Sequence, residues 1–205
     1  MLELPPIDLA LSTTRSVRKR IDFDRSVPPE LIERCIDVAT QAPTGLEREA
    51  WRFLVVTDSE PKQQIAALYR KAFDAVVSNP VAELGPSYRH LAETLQDFPC
   101  LILVCSKGRP EADNTAQQVA FYGSVLPAAW SLMVCLRARG LGSTWTTLLV
   151  RHEEPVAEAL GIPADVTQTV LLPVGFTKEA VLRPAPRKPA HEVTYWNRWG
   201  RRRSD

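Results

Sequence analysis

No G-x-S-x-G elbow, H-E-x-x-H pair or Walker loop occurs in the 205 residues, which removes the usual signatures of serine hydrolases, zinc peptidases and nucleoside triphosphatases. Gly140-Leu141-Gly142-Ser143 lacks the third glycine of a dinucleotide fingerprint. Histidine is scarce. His90, His152 and His191 each sit in a polar stretch with no partner at ligand spacing, so no metal site is expected. The four cysteines, Cys35, Cys100, Cys105 and Cys135, form no C-x-x-C pair and lie in apolar runs, as inert core thiols of a reducing compartment would. The start, MLELPP, has neither the basic residues nor the apolar stretch of a signal peptide, and no apolar run reads as long enough to cross a bilayer. A cytoplasmic protein with no membrane partner is expected. The 25 Lys+Arg against 24 Asp+Glu leave a formal charge of +1, so no overall bias points to nucleic acid, and Arg198 with Arg201, Arg202 and Arg203 reads as a charged, frayed terminus.

What is present suits one layered domain of 1–205, since 45% hydrophobic content over this length can bury a substantial core. A short helix at 4–12 leads into the basic run 13–20. Pro28 and Pro29 stand where a first helical turn accepts proline, with Leu31, Ile32, Cys35, Ile36 and Ala39 on one face and a stop at Ala42 before Pro43 and Gly45. Residues 51–57 read as a strand, followed by a helix opened by Pro61 and running to about residue 77, and by another over 88–96. The run 100–105, CLILVC, is apolar on both faces, as a central strand covered by helices would be. The longest helical pattern covers 114–139, with Val119, Tyr122, Leu126, Trp130, Met133 and Leu136 as its apolar face and a kink expected at Pro127. Residues 142–149 read as a strand, 154–160 as a helix ended by Gly161, and 167–174 as a strand. From Arg183 the chain has little core pattern, yet Tyr195, Trp196 and Trp199 are costly to leave in water, so 183–205 is expected to wrap a second subunit.

With hydrolase and metal chemistry unsupported, the remaining candidates suit an anionic, planar cofactor: Arg15-Ser16-Val17-Arg18, the turn Pro43-Thr44-Gly45, the segment 142–147, and Arg187-Lys188. In order and spacing these segments resemble the nitroreductase family of flavoproteins. The family's R-S-x-R element is similar to Arg15-Ser16-Val17-Arg18, and its A-P-S-G-x-N-x-Q-P-W-R-F to Ala42-Pro43-Thr44-Gly45-Leu46-Glu47-Arg48-Glu49-Ala50-Trp51-Arg52-Phe53. Its R-x-x-G-L-G-x-x-W segment resembles Arg137 through Trp145, its last core strand Leu172-Pro173-Val174-Gly175-Phe176, and its closing basic motif Arg187-Lys188-Pro189 followed by Glu192-Val193 and Trp196-Asn197.

The resemblance implies an α+β fold with a central mixed sheet surrounded by helices, a C-terminal tail swapped onto the partner of a homodimer, and FMN at the dimer interface. It assigns Arg15, Ser16 and Arg187 to the FMN phosphate or ribityl chain and Arg18 to the pyrimidine edge, where a cation stabilises charge developing on reduction. Pro43, Thr44 and Gly45 would approach from the other subunit, Thr146 or Thr147 would offer backbone donors to the flavin, and no side chain need act as acid or base. The implied activity is transfer of reducing equivalents from NAD(P)H to a small electron-poor acceptor, a nitroaromatic or quinone, in alternating ping-pong steps. Reductive dehalogenation or flavin fragmentation is the nearest alternative chemistry, and a non-catalytic flavin store or ligand-binding relative the other. Four positions depart from the family pattern: Thr14 replaces an arginine, Glu47 and Glu49 replace asparagine and glutamine, and Ala50 replaces proline. A carboxylate at Glu47 only accepts hydrogen bonds and would repel a reduced, anionic flavin, which predicts weaker FMN binding or a lower potential unless it and Glu49 pair with Arg48, Arg52 or Arg18.

Overall fold

The computed structural model describes residues 6–45, 49–79, 85–178 and 181–203. Strand β3 (Cys100–Lys107) lies at its centre and is buried on both faces. Its period of two divides the core: Leu101, Leu103 and Cys105 enter one apolar cluster, and Cys100, Ile102 and Val104 the other. β3 pairs antiparallel with β2 (Trp51–Val56) on one side and with the long β5 (Val166–Thr177) on the other. β5 also carries the two-residue β1 (Ile21–Asp22) and the short β4 (Leu141–Ser143), so the principal order is β1-β5-β3-β2 with β4 on β5.

The sheet is antiparallel at every strand pairing, where a mixed sheet was expected. Among the described residues, parallel pairing is confined to the single bridges Ser16–Ser143 and Gly108–Val166. One face is covered by Ile65 and Tyr69 of α3 (Ser59–Val77), Leu91 of α4 (Pro86–Thr94) and Val156 of α6 (Glu153–Leu160). The other is covered by α2 (Pro29–Ala39) and α5 (Thr115–Arg137), through Ile32, Cys35 and Ala39 against Val125, Ala129, Leu132 and Leu136. The helix α1 (Pro6–Thr13) precedes the sheet, and a single turn, α7 (Ala190–Val193), lies in the tail.

Local chemistry sets the helix ends. Pro29 opens α2, where its missing N–H has no intrahelical partner to lose. The Asn114 carboxamide accepts from the Gln117 N–H at 3.1 Å and caps α5, and Gly161 ends α6 in the left-handed conformation at φ 65°. α5 continues through Pro127 as one element.

Sequence expectations change for two segments. The buried face of α5 is Phe121, Val125, Ala128, Leu132 and Leu136 with Met133, while Val119, Tyr122 and Trp130 stay exposed. The helix is apolar nearly all round, so hydrophobic spacing does not single out the core side. It is also long and apolar enough to cross a bilayer, contrary to the expectation of no such run, and 44% of that stretch is buried inside the domain. The second change concerns 142–149: only Leu141–Ser143 form a strand, Thr146 makes a single bridge to Leu171, and Leu148–His152 form a 3-10 turn. Burial pushes the Cys100 and Cys105 thiols up to about 12, so both stay protonated and unreactive at neutral pH.

Candidate cofactor site

The basic segment after α1 owes its position to two glycines. A Cβ at Gly142 would sit 2.9 Å from both the Ile21 and Thr177 side chains and 3.1 Å from Val17, and one at Gly175, its partner across β4 and β5, 2.6 Å from Ile21. Their bare backbones let residues 16–21 lie against the sheet. There the Val17 N–H donates to the Ser143 carbonyl at 2.9 Å, the Thr144 hydroxyl to the Val17 carbonyl at 2.8 Å, and the Trp145 N–H to the Ser16 hydroxyl oxygen at 3.2 Å. The segment is therefore stapled along β4 and presents its cations at the sheet's edge.

Four of the expected site residues, Arg15, Ser16, Arg18 and Arg187, line one cavity of about 590 Å³. Its other walls include Trp130 and Met133 of α5 together with Trp145, giving one cavity both guanidinium groups and aromatic surface. The Arg18 guanidinium stacks 4.1 Å from the Tyr88 ring centre, and its Nε is buried without a hydrogen-bond partner among the described residues. A buried donor left open in this way suits an acceptor that is not part of the chain. Thr14 also lines the cavity, but its hydroxyl donates back to the Ala10 carbonyl at 2.7 Å, so it does not substitute for the family's arginine as a free donor.

The remaining expected residues lie elsewhere. The Gly45 N–H donates to the Ser124 hydroxyl at 3.0 Å, which anchors the Pro43-Thr44-Gly45 turn on α5 outside the cavity. Thr146 is buried with its backbone committed, its N–H donating to the Leu171 carbonyl at 3.1 Å, so the expected backbone donor is already used in pairing with β5. Its hydroxyl meets the buried Tyr69 hydroxyl at 3.0 Å. Burial raises the Tyr69 phenol above its ordinary range, with the Thr146 contact and the Arg18 charge opposing. Thr147 is exposed at the start of the 3-10 turn. Glu47 lies outside the described residues, as do Leu46 and Arg48. Arg52 donates to the main-chain carbonyls of Glu49 and Trp51, at 3.1 and 2.7 Å, so its contact with Glu49 is to backbone and not to the carboxylate.

Tyr88, Trp130 and Met133 escaped the sequence reading as site residues, whereas Trp145 lay inside the quoted motif. Nothing in local spacing distinguishes Trp130 from a core aromatic, and its exposure in the fold reveals it.

The profile of the nitroreductase family matches residues 11–176, which include the basic segment, α2 to α6 and the sheet up to the next-to-last residue of β5. The chain belongs to the nitroreductase family. Human iodotyrosine deiodinase 1 is 31% identical over 194 residues, covering 89% of this chain and 65% of its own, so the present chain spans just under two thirds of that relative's length. A Methanothermobacter thermautotrophicus protein assigned as an NADH dehydrogenase/NAD(P)H nitroreductase is 25% identical, over 83% of this chain and 76% of its own. A crystal structure of oxidized iodotyrosine deiodinase bound to FMN and 3-iodo-L-tyrosine superposes with a TM-score of 0.69 at 27% identity, covering 94% of this chain and 98% of that one. Among the described residues of this nitroreductase-family chain, no group of three His, Cys, Asp or Glu side chains is placed to hold a metal ion.

Proposed function

We propose that the chain is an FMN-dependent oxidoreductase that works as a homodimer and passes reducing equivalents from NAD(P)H to a small electron-poor acceptor such as a nitroaromatic or a quinone. The observation that carries this reading is the one cavity that joins Arg15, Ser16 and Arg187 to Trp130 and Trp145 and is also lined by Arg18, whose Nε is without a partner among the described residues. FMN, when bound, would supply the hydride and electron chemistry that none of these side chains can perform. Arg15 and Arg187 would hold the phosphate as charge-assisted partners, with Ser16 donating beside them while its oxygen accepts from Trp145. Arg18, pinned by Tyr88, would place a fixed cation where negative charge develops.

The homodimer is supported by surface that the protomer leaves uncovered. Val119, Tyr122 and Trp130 are exposed on α5, and in the tail Val193, Trp196 and Trp199 are exposed, Trp199 at 90%. The tail is folded on itself, with Arg202 donating to the His191 and Glu192 carbonyls and the Trp196 N–H to the Arg201 carbonyl. In a dimer the Pro43-Thr44-Gly45 turn would reach the partner's cavity.

A second reading, reductive dehalogenation of a halogenated phenol, is favoured by the 31% identity to human iodotyrosine deiodinase 1. One anaerobic experiment separates the readings. The protein is saturated with FMN, its visible spectrum is followed as NADH or NADPH is added, and the reduced protein is mixed with a nitroaromatic or with 3-iodo-L-tyrosine. Bleaching by a dinucleotide and reoxidation by the nitroaromatic are expected. Bleaching only by dithionite, with iodide released from the iodinated phenol, would replace the first reading with the second, and an FMN spectrum that never shifts on mixing would remove both.

A further inference from the structure

Beside the cofactor cavity lies another of about 610 Å³, and the two share Ser16 and Arg18. Consecutive stretches of one strap line both: Val181, Leu182 and Arg183 face the second cavity, Pro184, Ala185 and Arg187 the first. The second is strongly cationic. Lys19, Arg20 and Arg183 join Arg18 in its wall, the Ser87 hydroxyl adds a polar group, and no carboxylate occurs among its described lining residues.

This charge exceeds what one mononucleotide needs. Arg15 and Arg187 face the first cavity alone, where a single phosphate would engage them, whereas Lys19 and Arg183 face only the second. Like charges gathered around one concave surface raise its potential and draw an anion into it, while the chain as a whole carries only +1. The position of the groove narrows the ligand's shape. Ser16 and Arg18 line both cavities and Trp130 and Trp145 line the first, so a ligand spanning the two would carry a ring at one end and phosphate at the other. A neutral nitroaromatic or quinone has nothing to place in the groove. A diphosphate offers oxygens for both a guanidinium fork and an ammonium.

We propose that the groove between Lys19 and Arg183 binds the diphosphate of the nicotinamide dinucleotide while its nicotinamide ring is at the flavin. This rests on the flavin-reductase reading given above and specifies how that site selects its reductant.

The test has an equilibrium arm and a kinetic arm, both on FMN-saturated protein. In the first, inorganic diphosphate and inorganic phosphate are titrated calorimetrically into wild type, the Lys19→Ala/Arg183→Ala double variant and Arg187→Ala. Diphosphate is expected to bind more tightly than phosphate, and the double variant to weaken it about tenfold, the loss of two exposed ion pairs. Arg187→Ala is expected to weaken FMN instead. In the second arm, stopped-flow reduction of the flavin by NADH or NADPH is compared with reduction by N-benzyl-1,4-dihydronicotinamide, which carries the ring without phosphate. The double variant is expected to slow the dinucleotide about tenfold more than the benzyl compound. Equal slowing of both reductants, unchanged diphosphate binding in the double variant, or phosphate binding as tightly as diphosphate would each overturn the proposal. Failure of the flavin-reductase reading looks different: FMN is not retained, or neither dinucleotide reduces it, whatever diphosphate does. In that second case the dinucleotide is overturned as the groove's occupant, even if Lys19 and Arg183 hold diphosphate.

Discussion

The inner sheet and the rim around the basic segment are built from the same chain to different degrees of completion. Along β3 and β5 almost every side chain is buried, and apart from the Gln168 Oε1 the polar ones are satisfied locally, as where the Thr169 hydroxyl donates to the Val104 carbonyl at 2.7 Å beside the shift in register between Val104 and Cys105. At the rim the Arg18 Nε has no partner among the described residues, cations gather without carboxylates among the described lining residues, and Trp130 faces outward, as Val119 and Tyr122 do farther along α5. A finished core and an unfinished rim point to different tasks. The core fixes the fold, whereas the rim has valences that a phosphorylated ligand and a second subunit would complete.

The contrast breaks most visibly by truncating one apolar side chain in each region. Leu172 is fully buried in the cluster under α2 and α5, so Leu172→Ala is expected to cost ~2–5 kcal/mol as lost burial and residual cavity. For a chain of this length that lowers the melting temperature by roughly 4–20 °C in a thermal scan. Val119 is 68% exposed, and Val119→Ala should leave the protomer's unfolding nearly unchanged while weakening self-association by sedimentation. Equal losses of thermal stability from the two substitutions at concentrations where the protein is monomeric would mean that the rim belongs to the core after all.

Gly142 joins the two regions and sharpens the comparison. The Cβ and methyls of Gly142→Val would press on Ile21, Thr177 and Val17, the first two already within 2.9 Å of an added Cβ. Overpacking of this kind costs ~1–3 kcal/mol, less than the cavity in the core. Because Val17 is flanked by Ser16 and Arg18, the same substitution should also weaken FMN binding, measured by fluorescence titration. Full FMN affinity in a destabilised Gly142→Val protein would show that the close packing of this segment serves folding alone.

The core was more legible in the sequence than the rim, for a physical reason. An apolar run buried on both faces, as in 100–105, and proline at a helix start, as at Pro29, are local rules that the fold obeys. The outward face of α5 follows no such rule, because a helix that is apolar on both sides can serve a core and an interface at once. In the same way Thr144, Trp145, Thr146 and Thr147 are strand formers by type, but the strand ends at Ser143, and Thr146 pairs once with Leu171 and meets Tyr69. The cations at 15–18 and at Arg187 stand 169 or more residues apart in sequence, and only their match to a family pattern joined them before the fold placed them in one cavity. Tyr88 and Trp130 had no such pattern behind them.

The smallest expected effect tests whether every charge near the basic segment matters equally. Lys178, just after β5, sits 2.9 Å from the Asp22 carboxylate of β1 and 3.7 Å from Asp24. The Lys178 hydrogen bond holds the Asp22 carboxyl below its ordinary value, and the Asp22 hydrogen bond raises the Lys178 ammonium above its own. The signs bound a window. A depressed carboxyl contributes stability above its unfolded pKa, near 3.8, and loses it as pH falls through the lower folded value. A raised ammonium contributes below its unfolded pKa, near 10.5, and loses it as pH rises through the higher folded value. Both contributions are therefore present across the neutral range. Because the Lys178 side chain is exposed and its charge is screened by salt, Lys178→Met should flatten the acid limb of the stability–pH curve only slightly, less than either substitution above. A loss of stability in Lys178→Met as large as that of Gly142→Val would mean that this ion pair, and not the bare glycine backbone, holds residues 16–21 against the sheet.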